Sequence, residues 1–222
     1  MPLNMPTGSV SDISFGPAVV YMGPWKDPTS YTTGVTPTTD VGYISEDGVS
    51  IELASEKKNI MQGNPKLIEY SFVLQQSATI NFTSIEWDFD NFARALGAGN
   101  TEYITGIGGS AAAVREQTEK YFQFGGNPTN TLVAIGIQHK MAVDAPVGKT
   151  GNTMNIYAWK CQSESGFSIP MGSDEHSFEM SFNVLRSSRD WSNKVLKTDQ
   201  QLISIQRQSV ALSNPFSATS YP

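Results

Sequence analysis

His139, His176 and Cys161 are the only side chains of their kinds that could serve a metal or a nucleophilic mechanism in this 222-residue chain. With Asp174 they would be the raw material of a metal site or a Cys-His pair, but no C-x-x-C, H-E-x-x-H or related spacing joins them. His139 stands between Gln138 and Lys140 in a strand-like run, His176 follows a turn, and Cys161 lies inside an apolar stretch. The expected roles are therefore structural, with Cys161 a small core residue. Gly106-Ile107-Gly108-Gly109 is glycine-rich, yet no lysine follows at the spacing a phosphate cradle needs. Asp88, Asp90 and Asn91 lack the glycine and distal glutamate of a calcium loop, and fit helix capping better. Asn81-Phe82-Thr83 matches a glycosylation sequon but reads as strand. No converging set of titratable groups emerges, so no catalytic, cofactor or metal residue is assigned and enzymatic activity is not expected.

Composition points the same way. A net charge of −6 gives no basic stripe for holding nucleic acid. One cysteine excludes an internal disulfide framework and suits a reducing compartment. The opening MPLNMPTGSV has neither a basic n-region nor an apolar h-region, so no secretory signal is expected, and no apolar run reaches the ~20 residues of a membrane span.

The elements are mostly strands. Residues 13–22 form a first apolar run. Val49, Ile51 and Leu53 alternate with Ser50, Glu52 and Ala54 just after an Asp47-Gly48 turn dipeptide. Ile68, Tyr70, Phe72 and Leu74 share one face of a second run, and Ile80 and Phe82 mark a third. Between the first two of these, residues 55–66 (SEKKNIMQGNPK) read as a long charged connection. The period then changes: Phe89, Phe92, Ala93 and Leu96 fall on one face of a short helix capped by Asp88 and stopped by Gly97, with Phe89, Phe92 and Leu96 as its anchors. Further strands are expected at residues 131–141, 154–162, 176–186 and 202–206, and a short helix near residues 111–120. The expectation is an all-β sandwich or half-barrel spanning 13–206, with one packed short helix, a long insertion at 98–128, an N-terminal arm over 1–12 and a polar C-terminal arm over 207–222.

Val41, Gly42, Tyr43, Asp47, Gly48 and Val49, followed by Glu86, Phe89, Asn91, Phe92, Ala93, Leu96 and Gly97, resemble a pattern of the tail tube (major tail) proteins of long-tailed bacteriophages. The later order continues the likeness: a lysine-containing strand, a Gly/Asn turn, an aromatic strand, a Gly-Ser-Asp turn and SFEMSFNVL. It covers roughly residues 13–206 and departs at 98–128 and in the C-terminal arm.

The resemblance implies a ring-forming fold: a structural viral protein whose hexameric rings stack into the channel for genome delivery. The place implied is the virion tail, assembled in the bacterial host cytoplasm. Implied partners are further copies, the tape measure protein, terminator and baseplate or initiator proteins, and DNA in transit. In such a tube Glu52, Glu69 and Glu179, on the polar sides of their strands, are candidates to face the lumen. Glu56, Lys57, Lys58 and Asn64 are candidates to join one ring to the next, and Glu86 is expected to hold local backbone or a neighbouring subunit. The alternatives are the tube of a type VI secretion or contractile injection system, or a carbohydrate-binding β-sandwich; the latter would want clustered exposed aromatics, whereas Trp25, Trp87, Trp159 and Trp191 lie in four segments.

Overall fold

A computed structural model describes residues 14–25, 37, 39–63, 65–86, 91, 102–103, 120–121, 132–141, 152–164, 177–208 and 216. Ten strands are placed among them: β1 (Ser14–Pro24), β2 (Thr39–Asp40), β3 (Ile44–Gln62), β4 (Leu67–Ser84), β5 (Glu102–Tyr103), β6 (Lys120–Tyr121), β7 (Leu132–Met141), β8 (Thr153–Ser163), β9 (Phe178–Val184) and β10 (Ile203–Gln208). Eight of them make one antiparallel sheet in the order β2-β1-β7-β8-β9-β4-β3, with β10 also paired to β8. β5 and β6 form a separate two-stranded ribbon. One edge of β8 is divided: Thr153–Ala158 pair with β10 and Cys161–Ser163 pair with β9.

Alternation dictates which side chains go inward. Val20 and Met22 of β1, Val133, Ile135 and Ile137 of β7, Ile156 and Ala158 of β8, Phe178 to Val184 of β9 at every second residue, and Ala78, Ile80 and Phe82 of β4 converge on one core. Strands from one end of the sheet to the other feed that cluster, so the sheet curves around it. Cys161 joins despite its odd number because a register shift lets Val133 pair with Cys161 and Ile135 with Ala158, which spends one extra residue of β8. Phe82 and Phe182 stack inside, with ring centroids 5.9 Å apart.

A second core lies on the opposite face of β1, β7 and β8. Ala134, Tyr157, Trp159, Trp191, Leu196 and Phe216 are buried together, with Tyr21 packed against them. The segment after β9 supplies the cover. Asp190 Oδ1 accepts from the Ser192 and Lys194 amides, and Asn193 takes φ +67 to close a tight turn. The turn holds Trp191 with its Nε1 donating to the Trp159 carbonyl at 2.9 Å, while Trp159 Nε1 donates to the Gln200 carbonyl at 2.9 Å. Both indole donors are thus satisfied within an apolar layer.

Several expectations are corrected. Residues 55–66 are not a loop: β3 runs on to Gln62 and the chain turns only at 63–66. The two runs expected at 68–75 and 79–83 are one 18-residue strand. Asp47-Gly48 lies within β3, where Ser45–Gly48 bulge out opposite Thr83, and Gly48 takes φ +73. Lys120 is a strand residue, and Arg207 and Gln208 belong to β10, while Phe216 is fully buried, so the segment from 207 is not simply a polar arm. Asn91 is helical; the anchors Phe89, Phe92 and Leu96, the caps Asp88 and Gly97, the N-terminal arm and nearly all of 98–128 lie outside the described residues.

Candidate functional site: a projecting hairpin and a polar sheet face

β4 pairs with β9 only through Thr79–Ser84, yet its pairing with β3 continues to Leu67. Beyond Ala78 the hairpin therefore has no third strand among the described residues. About ten residues of each strand project from the body, roughly 30 Å at strand rise. The turn is closed with Gly63 at φ +96, a conformation that favours glycine. Among the described residues, no strand pairs with the outer edge of β3.

Two register shifts set the arm's faces. The partner of Glu56 is Gln75 but that of Lys57 is Val73, leaving Leu74 unopposed. Likewise Ile60 pairs with Tyr70 and Met61 with Ile68, leaving Glu69 unopposed. Ile60, Leu67, Tyr70 and Phe72 consequently share one face, while Met61, Ile68 and Val73 share the other. Tyr70 and Phe72 stack with centroids 6.4 Å apart. Ile68 and Leu74, expected beside them, are displaced by the bulges. Apolar groups stand in solvent on both sides: Leu67 is 67% exposed, Tyr70 63%, Ile68 57% and Met61 54%. Glu56, Lys57 and Lys58, expected in a joining loop, are exposed strand residues of this arm; Asn64 lies outside the described residues. With Lys66 and Glu69 they give the arm a net +1 against −6 for the whole chain.

The base of the same hairpin carries a different surface. In register across β3, β4 and β9 lie Glu52–Thr79–Asn183, then Ser50–Asn81–Ser181, then Thr83–Glu179. Thr79 Oγ1 lies 3.3 Å from Asn183 Oδ1. The Ser181 hydroxyl sits 2.7 Å from Asn81 Oδ1 and 2.8 Å from a Glu164 carboxylate oxygen. Reverse sides of these strands are the phenylalanine-rich core. Glu52 and Glu179 thus share one polar face, whereas Glu69 sits out on the arm and does not belong to it. Sequence reasoning missed Glu164, the carboxylate two residues past Gln162 at the end of an aromatic strand. Asn81 of the sequon is half-buried in β4 and engaged with Ser181.

Where hairpin and body meet, Gly42 takes φ +88 and its amide donates to Asp40 Oδ1 at 2.9 Å. The Glu86 carboxylate lies across it and accepts from the Tyr43 amide at 3.2 Å. A Cβ on Gly42 would stand 2.6 Å from Glu86 Cδ, so a side chain there would push the Glu86 carboxylate aside, and the positive φ itself favours glycine. Buried Asn91 donates through Nδ2 to the Val41 carbonyl at 3.0 Å. Val41, Gly42, Tyr43, Glu86 and Asn91, far apart in sequence, form one junction, and Glu86 holds local backbone.

Among the described residues, those with chemical reach stay separate. Cys161 is fully buried, and burial pushes its thiol well above the ordinary range. His139 is on β7, opposite Ala18 and Met154; His176, Asp174 and Gly106–Gly109 lie outside the described residues. Among the described residues no three His, Cys, Asp or Glu side chains could hold a metal. A cleft of about 80 Å³ beside Trp159, Lys194 and Gln206 has one carboxylate, Asp190, already occupied by two backbone amides. No described helix is long and apolar enough to cross a membrane. Neither a protein-family model nor a curated protein matches the chain.

Proposed function

We propose that this chain is a structural subunit that assembles with copies of itself into stacked rings, the tail tube of a long-tailed phage, through which the genome passes. The observation that carries the reading is the hairpin arm: a basic, two-faced apolar ribbon standing off an otherwise acidic body. Soluble monomers rarely leave so much contiguous apolar surface in water. A ribbon wet on both faces is suited to lie between two neighbours, and charge complementarity favours neighbours that are acidic, as the rest of this chain is. The unpaired outer edge of β3 offers main-chain donors and acceptors for continuing the sheet into the next copy, and ring closure removes such edges.

In this reading the polar base face, with Glu52, Glu179 and Glu164, lines the channel. A wall of carboxylates, hydroxyls and amides gives DNA phosphates no cation to hold. The further partners are those of a tail: tape measure, terminator and baseplate or initiator proteins. The carbohydrate-binding alternative is less well served, because Trp159 and Trp191 are buried against each other, with ring centroids 4.9 Å apart.

The test is electron microscopy and sedimentation of the purified chain, beside a version in which residues 57–72 are replaced by Asn-Gly. Rings or tubes from the intact chain, and their loss in the shortened one, are the expected results. A monodisperse monomer at high concentration across salts refutes the reading.

A further inference from the structure

β4 carries one apolar period from its exposed end to the core. Ile68, Tyr70, Phe72, Leu74, Ala78, Ile80 and Phe82 fall on every second residue, with Gln76 the single interruption. The structure does not keep them on one face. From Val49–Phe82 to Glu56–Gln75 the register with β3 is constant. It then slips by one residue at Leu74 and by another at Glu69, so the ladder ends at Gln62–Leu67. A one-residue slip turns the following side chains over. Tyr70 and Phe72 therefore leave the face of Ile80 and Phe82 for that of Thr79 and Asn81, opposite Ile60 and Lys58.

The turn explains the slips. Carried on without bulges, the register of the base would set Asn64 opposite Leu67 and close the hairpin on Pro65-Lys66 alone. The favoured two-residue hairpin turns need a positive φ at their first position, which proline cannot adopt. The chain instead turns over residues 63–66, with Gly63 at φ +96. This wider turn takes two residues of β3 out of the ladder, and β4 matches them with two bulged residues. Turn and apolar period thus favour different registers. Burial does not decide between them, because Leu67, Ile68, Tyr70 and Leu74 are all exposed.

We infer that the arm is a two-register switch. In the register of the structure its apolar groups are divided between both faces. In the second, bulge-free register Lys57 pairs with Leu74, Asn59 with Phe72, Ile60 with Ser71 and Met61 with Tyr70. One face then carries Met61, Ile68, Tyr70, Phe72 and Leu74 in line with Ile51 and Ile80. The other carries Lys58, Gln62, Glu69 and Ser71, with Ile60 and Val73, in line with Glu52 and Thr79. The shift converts a ribbon that is apolar on both sides into an amphipathic one and brings Glu69 onto the acidic face of the base. The body is not disturbed, since pairing from Val49 to Glu56 is common to both registers. The inference concerns the arm alone and holds whether or not the chain builds a tube.

Disulfide trapping tests it, with Ser71→Cys combined in turn with a cysteine on each face of β3. In full-length Asn59→Cys/Ser71→Cys the thiols are opposed in the register of the structure. In full-length Ile60→Cys/Ser71→Cys they are opposed only in the bulge-free register. Cys161 is fully buried and stays out of the exchange, and its resistance to thiol reagents reports that the body of each variant is folded. Each chain is equilibrated in a glutathione redox buffer and the closed fraction is read by mass spectrometry of the linked peptides. Both pairs are expected to close, the Asn59 pair at the more reducing poise. Adding Pro65→Asn/Lys66→Gly supplies a type I′ turn for the second register, and is expected to move the ratio of the two closing constants about tenfold or more toward the Ile60 pair. An Ile60 pair that stays open in both turn backgrounds while the Asn59 pair closes overturns the proposal. So does a ratio that the new turn leaves unchanged, or an arm in which neither pair closes. These readouts need no ring to form, so they are distinguishable from a failure of assembly.

Discussion

Gly42→Ala should be among the most damaging small substitutions, and for two separable reasons. The first is the backbone: φ +88 is a conformation that an L side chain adopts at a cost of about 1–2 kcal/mol. The second is contact. The new methyl group would fall within the Glu86 carboxylate, so Glu86 must swing away and release the Tyr43 amide. That hydrogen bond is exposed, which limits its loss to about 0.5–1.5 kcal/mol. The single substitution should therefore cost about 2–3 kcal/mol. In a Glu86→Ala background the contact is already gone and only the backbone part remains, about 1–2 kcal/mol. A double-mutant cycle by urea unfolding, repeated at several protein concentrations to reveal any contribution from association, should return a coupling of about 1 kcal/mol. If Gly42→Ala costs the same with and without Glu86, the steric account of this junction is wrong.

Three further outcomes follow from other parts of the molecule. Phe182→Ala removes a buried ring stacked on Phe82 and should cost about 3–5 kcal/mol in chemical denaturation; a loss under 1 kcal/mol would show that the inner core is not packed as described. The Cys161 thiol is raised by burial, so its contribution to stability is fully present below the unfolded thiol's pKa of about 8.5 and is lost as pH rises beyond it; thiol reagents should label Cys161 only at the rate of unfolding, and rapid labelling of the native chain contradicts its burial. On the proposed tube reading, Glu52→Lys or Glu179→Lys in assembled particles should slow genome ejection while tubes still form, whereas Glu69→Lys on the arm should alter assembly and leave ejection unchanged; wild-type ejection by both of the first two contradicts a channel-facing role for them.

Alternation is a record of burial, and it made the body of the sheet legible. β1, β7, β8, β9 and β10 lie within two or three residues of where apolar periodicity put them, because each turns one face to a core. The arm was misread for the same reason. Lys57-Lys58-Asn59 against Phe72 and Ser71 shows no period-two pattern because no core lies on either side to impose one. The two bulges also interrupt the face shared by Ile68, Tyr70, Phe72 and Leu74, a break that residue types alone do not mark. Trp159, Trp191 and Phe216 were invisible as a cluster because they meet only through long-range packing of three separate segments. Gly42 and Glu86 were legible as a spacing, while the reason for the glycine, a carboxylate lying across it, required the fold.

The stability of the arm is itself informative. A two-stranded ribbon with both faces in water is marginal on its own, since it buries too little to offset the ordering of its backbone. This one has stacked Tyr70 and Phe72 on one face and Met61 and Ile68 on the other, with the sheet at its base as a template. The stacked pair and the template favour pairing near the base and around Lys58–Phe72, while the two bulges that flank this stretch, at Leu74 and Glu69 of β4, interrupt the ladder and increase its twist. A long, flat apolar edge would pair indiscriminately; the β3 edge, twisted by the bulges in β4 and carrying Glu56, Lys57 and Lys58, accepts a narrower range of partners. The same residues that make the arm a poor independent hairpin therefore make it a selective one, and on the proposed reading its missing third neighbour is another copy of the chain.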